Sequence, residues 1–224
     1  MKAQRSEALA AAGFCHGFGT RLATRRDYPR ILYTLRQVHG DAVAHIGPPL
    51  PDRRFRFTVA DAVLTRHPGV AVGVRTADCL PVLLADTAGG AVAAVHCGWR
   101  SLAAGLIGRT VEQMGLLFGT RAKDVLAVLG PSIRACCYEV GPEVMAAFAA
   151  HPGVEAFAEG DGSLRLDLAR AARSELRGRG IETDRIETVG GCTRCRPDLY
   201  HSWRGERTKM RMVNWISAHP SLSR

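Results

Sequence analysis

The chain of 224 residues is 46% hydrophobic, enough for one substantial core, and no Gly-, Ser-, Pro- or charge-rich stretch divides it, so a single domain over residues 1–224 is expected. Its net charge of +9 comes from Arg scattered over many segments, which fits anionic substrates, nucleic acid or merely a composition biased toward Arg and Ala. Nucleic-acid binders concentrate their charge on one face, and an aromatic content of only 6% argues further against that class. The opening stretch MKAQRSEALAAAGFCHG lacks the apolar core of a signal peptide and no run of about eighteen apolar residues occurs, so no membrane segment is expected and a cytoplasmic location is.

In chain order, ILYTLRQV (31–38), AVAHI (42–46), FRFTVADAVLT (55–65), VAVGVRT (70–76), LPVLLAD (80–86) and AVAAVH (91–96) are short apolar or β-branched runs bounded by Gly, Pro or Asp, and read as strands. Connections of about four to seven residues are too short for crossover helices, so the sheet should be mixed and largely antiparallel. Beyond Arg100 the period lengthens. Leu102, Leu106, Ile107, Val111, Met114, Leu117 and Phe118 fall mostly three and four apart and predict one helix ending near Gly119. VLAVLG (125–130) is the next strand, Gly141 and Pro142 open a helix to about Ala150, and Asp167 caps the helix LARAARSELRGRG. DRIETVG and KMRMVNWIS are late strands around the polar loop GCTRCRPDLYHSWRGE. The expected fold class is α/β (α+β), one domain with helices packed on a mixed sheet.

Three apolar strands end in a potential metal ligand followed by a turn: LRQVHGD with His39, VRTADCLPVLLAD with Asp78 and Cys79, and AVAAVHCGWR with His96. Strand ends are where distant parts of a chain converge on one cavity. Two imidazoles and a thiolate suit zinc and leave a fourth tetrahedral position open, as in a catalytic site. Cys97 adjoins His96, but a period of two sends Val92, Ala94 and His96 to one face and Ala91, Ala93, Val95 and Cys97 to the other. Cys97 is therefore predicted to point away, into the core. Arg100 falls in the first turn of the next helix, where free backbone N–H groups favour an anion.

The chain has seven cysteines, an odd number that suits thiols or metal ligands better than a disulfide framework. CTRC (192–195) with Cys136 and Cys137 is a rival, structural zinc site. A single C-x2-C joined to two adjacent cysteines suits a cage of four thiolates poorly.

HGFGTR (16–21), LRQVHGD (35–41), ADAVLT (60–65), VRTADCLPVLLAD (74–86), AVHCGWRSLAAG (94–105), GPSIRACCYEVGPEV (130–144) and CT at 192–193 occur in the order and with about the spacing of a known family. Over nearly its whole length the chain resembles the laccase-domain or polyphenol-oxidase-like family, now mostly described as purine nucleoside phosphorylases. The resemblance implies a zinc-type site on His39, Cys79 and His96, with copper as the alternative metal. It also implies phosphorolysis of adenosine, inosine, guanosine and methylthioadenosine, with an associated adenosine deaminase activity. Two other family readings are copper-dependent oxidation of phenols and hydrolytic editing of a peptidoglycan precursor. The chain departs from the family's His-Ala-Gly-Trp-Arg-Gly at Cys97 and Ser101, and YHSWRGERTKMRM stands where the family shows an aromatic-Ser-Tyr-Arg-Arg stretch, with Tyr200, Ser202 and Arg204 alignable.

For phosphorolysis, a metal on these ligands would orient a phosphate oxygen or activate a water, Cys79 would bind as thiolate, and Arg21 and Arg100 would hold the anion. For deamination, Asp78 or Glu139 is the available proton shuttle. A copper oxidase would call on more ligands, and the spare His16, His45, His67 and His201 show no His-x-His grouping. A cysteine hydrolase would use Cys79 as nucleophile and His39 or His96 as base. The expected partners are purine nucleosides and phosphate, not nucleic acid or a membrane.

Overall fold

The computed structural model describes residues 2–48, 50, 52, 58–149, 157–158 and 163–218. In chain order the elements are β1 (Ala3–Gln4), α1 (Glu7–Ala11), β2 (His16–Gly19), β3 (Leu32–Tyr33), β4 (Val43–Ile46), β5 (Ala62–Thr65), β6 (Ala71–Thr76), β7 (Leu80–Asp86) and β8 (Val92–Cys97). They continue with α2 (Trp99–Ala103), α3 (Leu106–Phe118), β9 (Val125–Leu129), α4 (Pro142–Phe148), β10 (Phe157–Ala158), β11 (Arg165–Leu166), α5 (Leu168–Gly178), β12 (Ile186–Thr188), α6 (Trp203–Glu206) and β13 (Met212–Ser217). The fold is mixed α/β, as expected.

The strands divide over two main sheets, ordered β1-β2-β13-β6-β3 and β12-β9-β7-β8-β5-β4, with β10 and β11 forming a separate ribbon. Only β3 with β6, β4 with β5 and β9 with β12 pair in parallel. One sheet does not suffice because the central strands are apolar on both faces. Ala91, Ala93, Val95 and Cys97 pack on the helices with Leu102, Leu106, Ile107, Met114, Ala171, Ala172 and Leu176. Val92 and Ala94 turn the other way, onto Phe18, Val72, Val74 and Ile216 of the five-stranded sheet. The six-stranded sheet is thus the middle layer, covered by helices on one side and by a sheet on the other.

The register of the middle layer is fixed by this double burial: β8 lies antiparallel to β7 with His96 opposite Pro81 and Cys97 opposite Leu80. The helix predicted past Arg100 is two helices, because Gly105 adopts φ 74°, a left-handed conformation that closes α2 and redirects the chain into α3. Asp167 caps α5 by accepting the N–H groups of Ala169 and Arg170, and Gly141 with Pro142 opens α4. Of the run 55–65, the part 55–57 lies outside the described residues, as does Ala150. Among the described residues no helix is long and apolar enough to cross a membrane.

Candidate metal centre

The turn after β3 carries His39, the turn before β7 carries Cys79, and His96 is the penultimate residue of β8. Their donor atoms lie within 4.8 Å of one another. His39 Nε2 is 3.7 Å from Cys79 Sγ. An N and an S ligand sharing a tetrahedral zinc would stand about 3.6 Å apart, so donor set and spacing fit such an ion. The two imidazole rings meet edge to face with centroids 4.9 Å apart. Cys97 is fully buried among the helices, on the face opposite His96.

Asp61 organises this cluster, and the sequence reading gave it no role. Its carboxylate accepts from Nδ1 of His96 at 2.8 Å, which leaves Nε2 as the ring nitrogen turned to the cluster. The same carboxylate accepts the successive backbone N–H groups of Val38, His39 and Gly40 at 3.1, 2.9 and 2.8 Å. His39 sits at φ 61°, and this clamp offsets the cost of that conformation. Burial would raise the Asp61 carboxyl, but His96 and the N–H groups of Gly40 and Val38 outweigh it and hold the group below its ordinary range. The available signal was the acid itself: an Asp between Ala60 and Ala62 in an apolar run must be buried, and a buried charge needs partners.

Burial would push the Cys79 thiol up, but the charge of His96 and hydrogen bonds from His39 and His96 bring it down to about 6. Burial likewise disfavours a charged His96, yet the Cys79 thiolate and the Asp61 carboxylate raise it to about 9. Cys97 shows the contrast, since burial drives its thiol well above the ordinary value. Gly98 lets the turns close. A Cβ there would stand 2.7 Å from Cδ2 of His39 and 3.4 Å from Sγ of Cys79.

The cluster opens into a cavity of about 660 Å³ whose wall carries Arg75, Arg100, Arg204, Arg207, Lys209 and Arg211. Asp78 is the one carboxylate on that wall among the described residues. Both its oxygens are engaged, Oδ1 by the Thr193 hydroxyl and Oδ2 by the N–H of Arg204, each at 2.6 Å. Asp78 has φ 89°, so these bonds lock the strained turn that presents Cys79. The aromatic walls are Trp99, Tyr138 and Trp203, with the Arg100 guanidinium 4.2 Å over Trp99 and that of Arg204 5.4 Å over Tyr138. Burial, then the nearby Cys79 charge, raises the Tyr138 phenol to about 12.

Two expected site residues lie elsewhere. Arg21 is absent from the cavity wall. It donates to the Pro197 carbonyl and pairs with Glu206 at 3.0 Å, so its charge is spent on tying the chain after β2 to α6. Glu139 is exposed, bridges to Arg165 through its backbone, and lines a neighbouring groove with Glu143 and Val144. The missed cations, Arg204, Arg207, Lys209 and Arg211, come from the divergent stretch YHSWRGERTKMRM.

His16 is also spoken for, receiving the Ser6 N–H on Nε2 and bonding the Phe14 carbonyl through Nδ1. The rival cysteines do meet: Cys136, Cys137, Cys192 and Cys195 bring their sulfurs within 4.8 Å of one another. Adjacent cysteines were expected to suit one cage of four thiolates poorly. Here Cys137 and Tyr138 both donate their N–H to the Arg134 carbonyl, a helical turn that swings successive side chains by about 100° rather than 180°.

The sequence profile of the family described as multi-copper polyphenol oxidoreductase laccase matches residues 19–219. A purine nucleoside phosphorylase of Bacteroides thetaiotaomicron is 38% identical over 181 residues, 79% of this chain and 67% of its own. The purine nucleoside phosphorylase YfiH of Escherichia coli is 36% identical over 201 residues, 88% of this chain and 77% of its own. Among solved structures, YlmD from Geobacillus stearothermophilus superposes with a TM-score of 0.87 at 23% identity, covering 98% of this chain and 97% of that one. A Neisseria meningitidis protein superposes with a TM-score of 0.73 at 34% identity, covering 84% and 75%. Sequence match and shared fold agree over nearly the full described chain, which therefore belongs to the multi-copper polyphenol oxidoreductase laccase family.

Proposed function

We propose that the chain is a purine nucleoside phosphorylase acting on adenosine, inosine, guanosine and methylthioadenosine, with zinc held by His39, Cys79 and His96. The observation that carries this reading is the pairing of a three-donor cluster with six cationic side chains and aromatic walls around one cavity. The only carboxylate among its described lining residues is already bonded through both oxygens, so the wall suits an anionic co-substrate such as phosphate. The names of the relatives support the same choice.

A metal held by His39, Cys79 and His96 would supply Lewis-acid charge to the reacting oxygen. The chain's own groups do the rest. Asp61 fixes the His96 tautomer, Arg100 and Arg204 hold phosphate, and Trp99 and Tyr138 offer faces to the purine. In phosphorolysis an oxygen of hydrogenphosphate bonds to the anomeric carbon as the bond to the purine nitrogen breaks, and the proton that the phosphate gives up ends on the departing base. The Tyr138 hydroxyl keeps its proton at neutral pH and can donate a hydrogen bond to that base. Arg21 leaves this scheme because it is engaged elsewhere, and Glu139 because it faces another groove. Adenosine deamination is a second activity of the same cavity, and Asp78 would serve it as proton shuttle by giving up its bond to Thr193 or Arg204. The test is phosphate-dependent release of hypoxanthine from inosine by pure protein of known metal content, and phosphate-independent release of ammonia from adenosine. Undiminished turnover by Cys79→Ala would overturn the metal-centred scheme.

A second reading is favoured by one observation, the Cys79 thiolate lying beside two imidazoles, an arrangement that also suits a cysteine hydrolase. It requires activity that survives chelation and is lost on thiol alkylation.

A further inference from the structure

We propose that Cys136, Cys137, Cys192 and Cys195 form a second, structural metal site, a tetrathiolate that binds zinc independently of the cavity. Their four sulfurs come from two loops far apart in sequence and lie within 4.8 Å of one another. Cys195 Sγ is 3.7 Å from that of Cys136 and 3.4 Å from that of Cys137. All four are free thiols. Sulfurs at the corners of a zinc tetrahedron, with Zn–S near 2.3 Å, stand about 3.8 Å apart, whereas a disulfide would need about 2.05 Å. The spacing matches shared ligation.

The surroundings are those of a thiolate site. Four thiolates around a divalent ion leave two negative charges; the two loops carry Arg134 and Arg194, and Arg165 of β11 lies against them. Arg165 and Arg194 donate to the carbonyls of Cys136 and Cys137, at 3.0 and 3.5 Å. The loops also touch directly: Thr193 donates its N–H to the Ser132 carbonyl. Cys192 is buried while Cys136 and Cys195 are exposed, so the ion would close the outer rim of a preformed joint.

The joint has a purpose in the fold. Thr193, next to Cys192, holds Asp78 at the base of the Cys79 turn, and Tyr138, next to Cys137, forms a cavity wall. A metal here would lock two walls of the cavity to each other without touching substrate.

The inference does not depend on the proposed reaction, and its test reads metal rather than turnover. Full-length Cys79→Ala protein, disabled at the first centre, is purified under reducing conditions from zinc-supplemented cells and its zinc measured by elemental analysis. One equivalent is expected to remain, and to disappear when Cys195→Ser is added. Cobalt substituted for zinc in Cys79→Ala should give the intense visible bands and sulfur-to-metal charge transfer of a tetrahedral tetrathiolate. Cys195→Ser in the wild-type chain, an exposed position that leaves the fold in place, should lower zinc by one equivalent and reduce the melting temperature. The proposal is overturned if Cys79→Ala retains no metal, if its cobalt spectrum is unchanged by Cys195→Ser, or if the reduced, zinc-replete protein holds a disulfide among the four. It is equally overturned if these thiols react with a disulfide reagent as fast with zinc as after chelation. Phosphorolysis of inosine by the wild-type protein is scored separately, so either idea can fail alone.

Discussion

Asp61 Oδ1 lies 2.8 Å from Nδ1 of His96, and the same carboxylate holds the backbone of the turn bearing His39. One buried acid therefore sets the position of two ligands, one in the turn after β3 and one at the end of β8. Replacing it by Asn turns an amide N–H₂ against groups that are themselves donors. Asp61→Asn is expected to destabilise the protein by about 3–5 kcal/mol, as for other broken buried pairs, and to weaken metal binding about 10–100-fold. Urea denaturation and competition with a chromophoric chelator measure the two effects.

Gly98→Ala places a methyl carbon 2.7 Å from the His39 ring and 3.4 Å from the Cys79 sulfur. The ring must shift while the strands need not. A displacement on the scale of an ångström typically costs about 10²-fold in turnover, so activity should fall by that order with a melting temperature close to wild type. Parallel kinetic and thermal assays would reveal a general folding defect instead.

Arg100 lies on the face of Trp99 at the cavity wall. If it holds phosphate, Arg100→Ala removes a charge-assisted hydrogen bond worth about 1.5–3 kcal/mol and raises the KM for phosphate about 10–100-fold, with less effect on the KM for nucleoside. Arg21→Ala should leave the phosphate KM unchanged, because Arg21 spends its charge on Glu206. Initial rates over a matrix of both substrates distinguish the two variants.

Glu175, between α3 and α5, accepts the Gly108 N–H at 2.7 Å, and burial first of all raises its carboxyl from 4.5 to about 7. A folded value above the unfolded one means the folded state binds the proton more tightly. The stabilisation is complete below pH 4.5 and is lost as pH rises through about 7. The full swing is of order 3 kcal/mol, less for the part of the group that water reaches. Glu175→Gln keeps the acceptor and removes the ionisation. The variant should be the more stable at pH 8 and should lack the wild-type loss of stability across that range, read from denaturation curves at successive pH values.

Cys97→Ala tests the strand parity. Trimming this fully buried sulfur should cost about 1–2 kcal/mol of stability through the small cavity it leaves, with metal stoichiometry unchanged. Loss of metal would show that Cys97, not His96 alone, serves the centre.

What could be read from the chain follows from the range of the forces involved. His96 and Cys97 separate correctly because strand alternation is local, and the strand ends at His39, Cys79 and His96 were visible as polar interruptions of apolar runs. Asp61 escaped notice because its partners lie 21 to 35 residues away. Arg21 was misplaced for the same reason, its carboxylate being 185 residues further on. Six strands were expected to share a sheet, but period two reports only that both faces of β7 and β8 are apolar, not what covers each. The adjacent cysteines were judged poor partners in one cage, and the turn at Arg134 that reconciles them leaves no clear mark in RACC.

The pairing of His96 with Pro81 decides more than a side-chain direction. With two neutral imidazoles and one thiolate, a divalent ion in this centre would carry one net positive charge. Were β8 to slip by a single residue, Cys97 would arrive in place of His96, a second thiolate would neutralise the ion, and its electrostatic pull on an incoming phosphate would vanish. The hydrophobic alternation of a short strand thereby sets the charge of the centre at its tip.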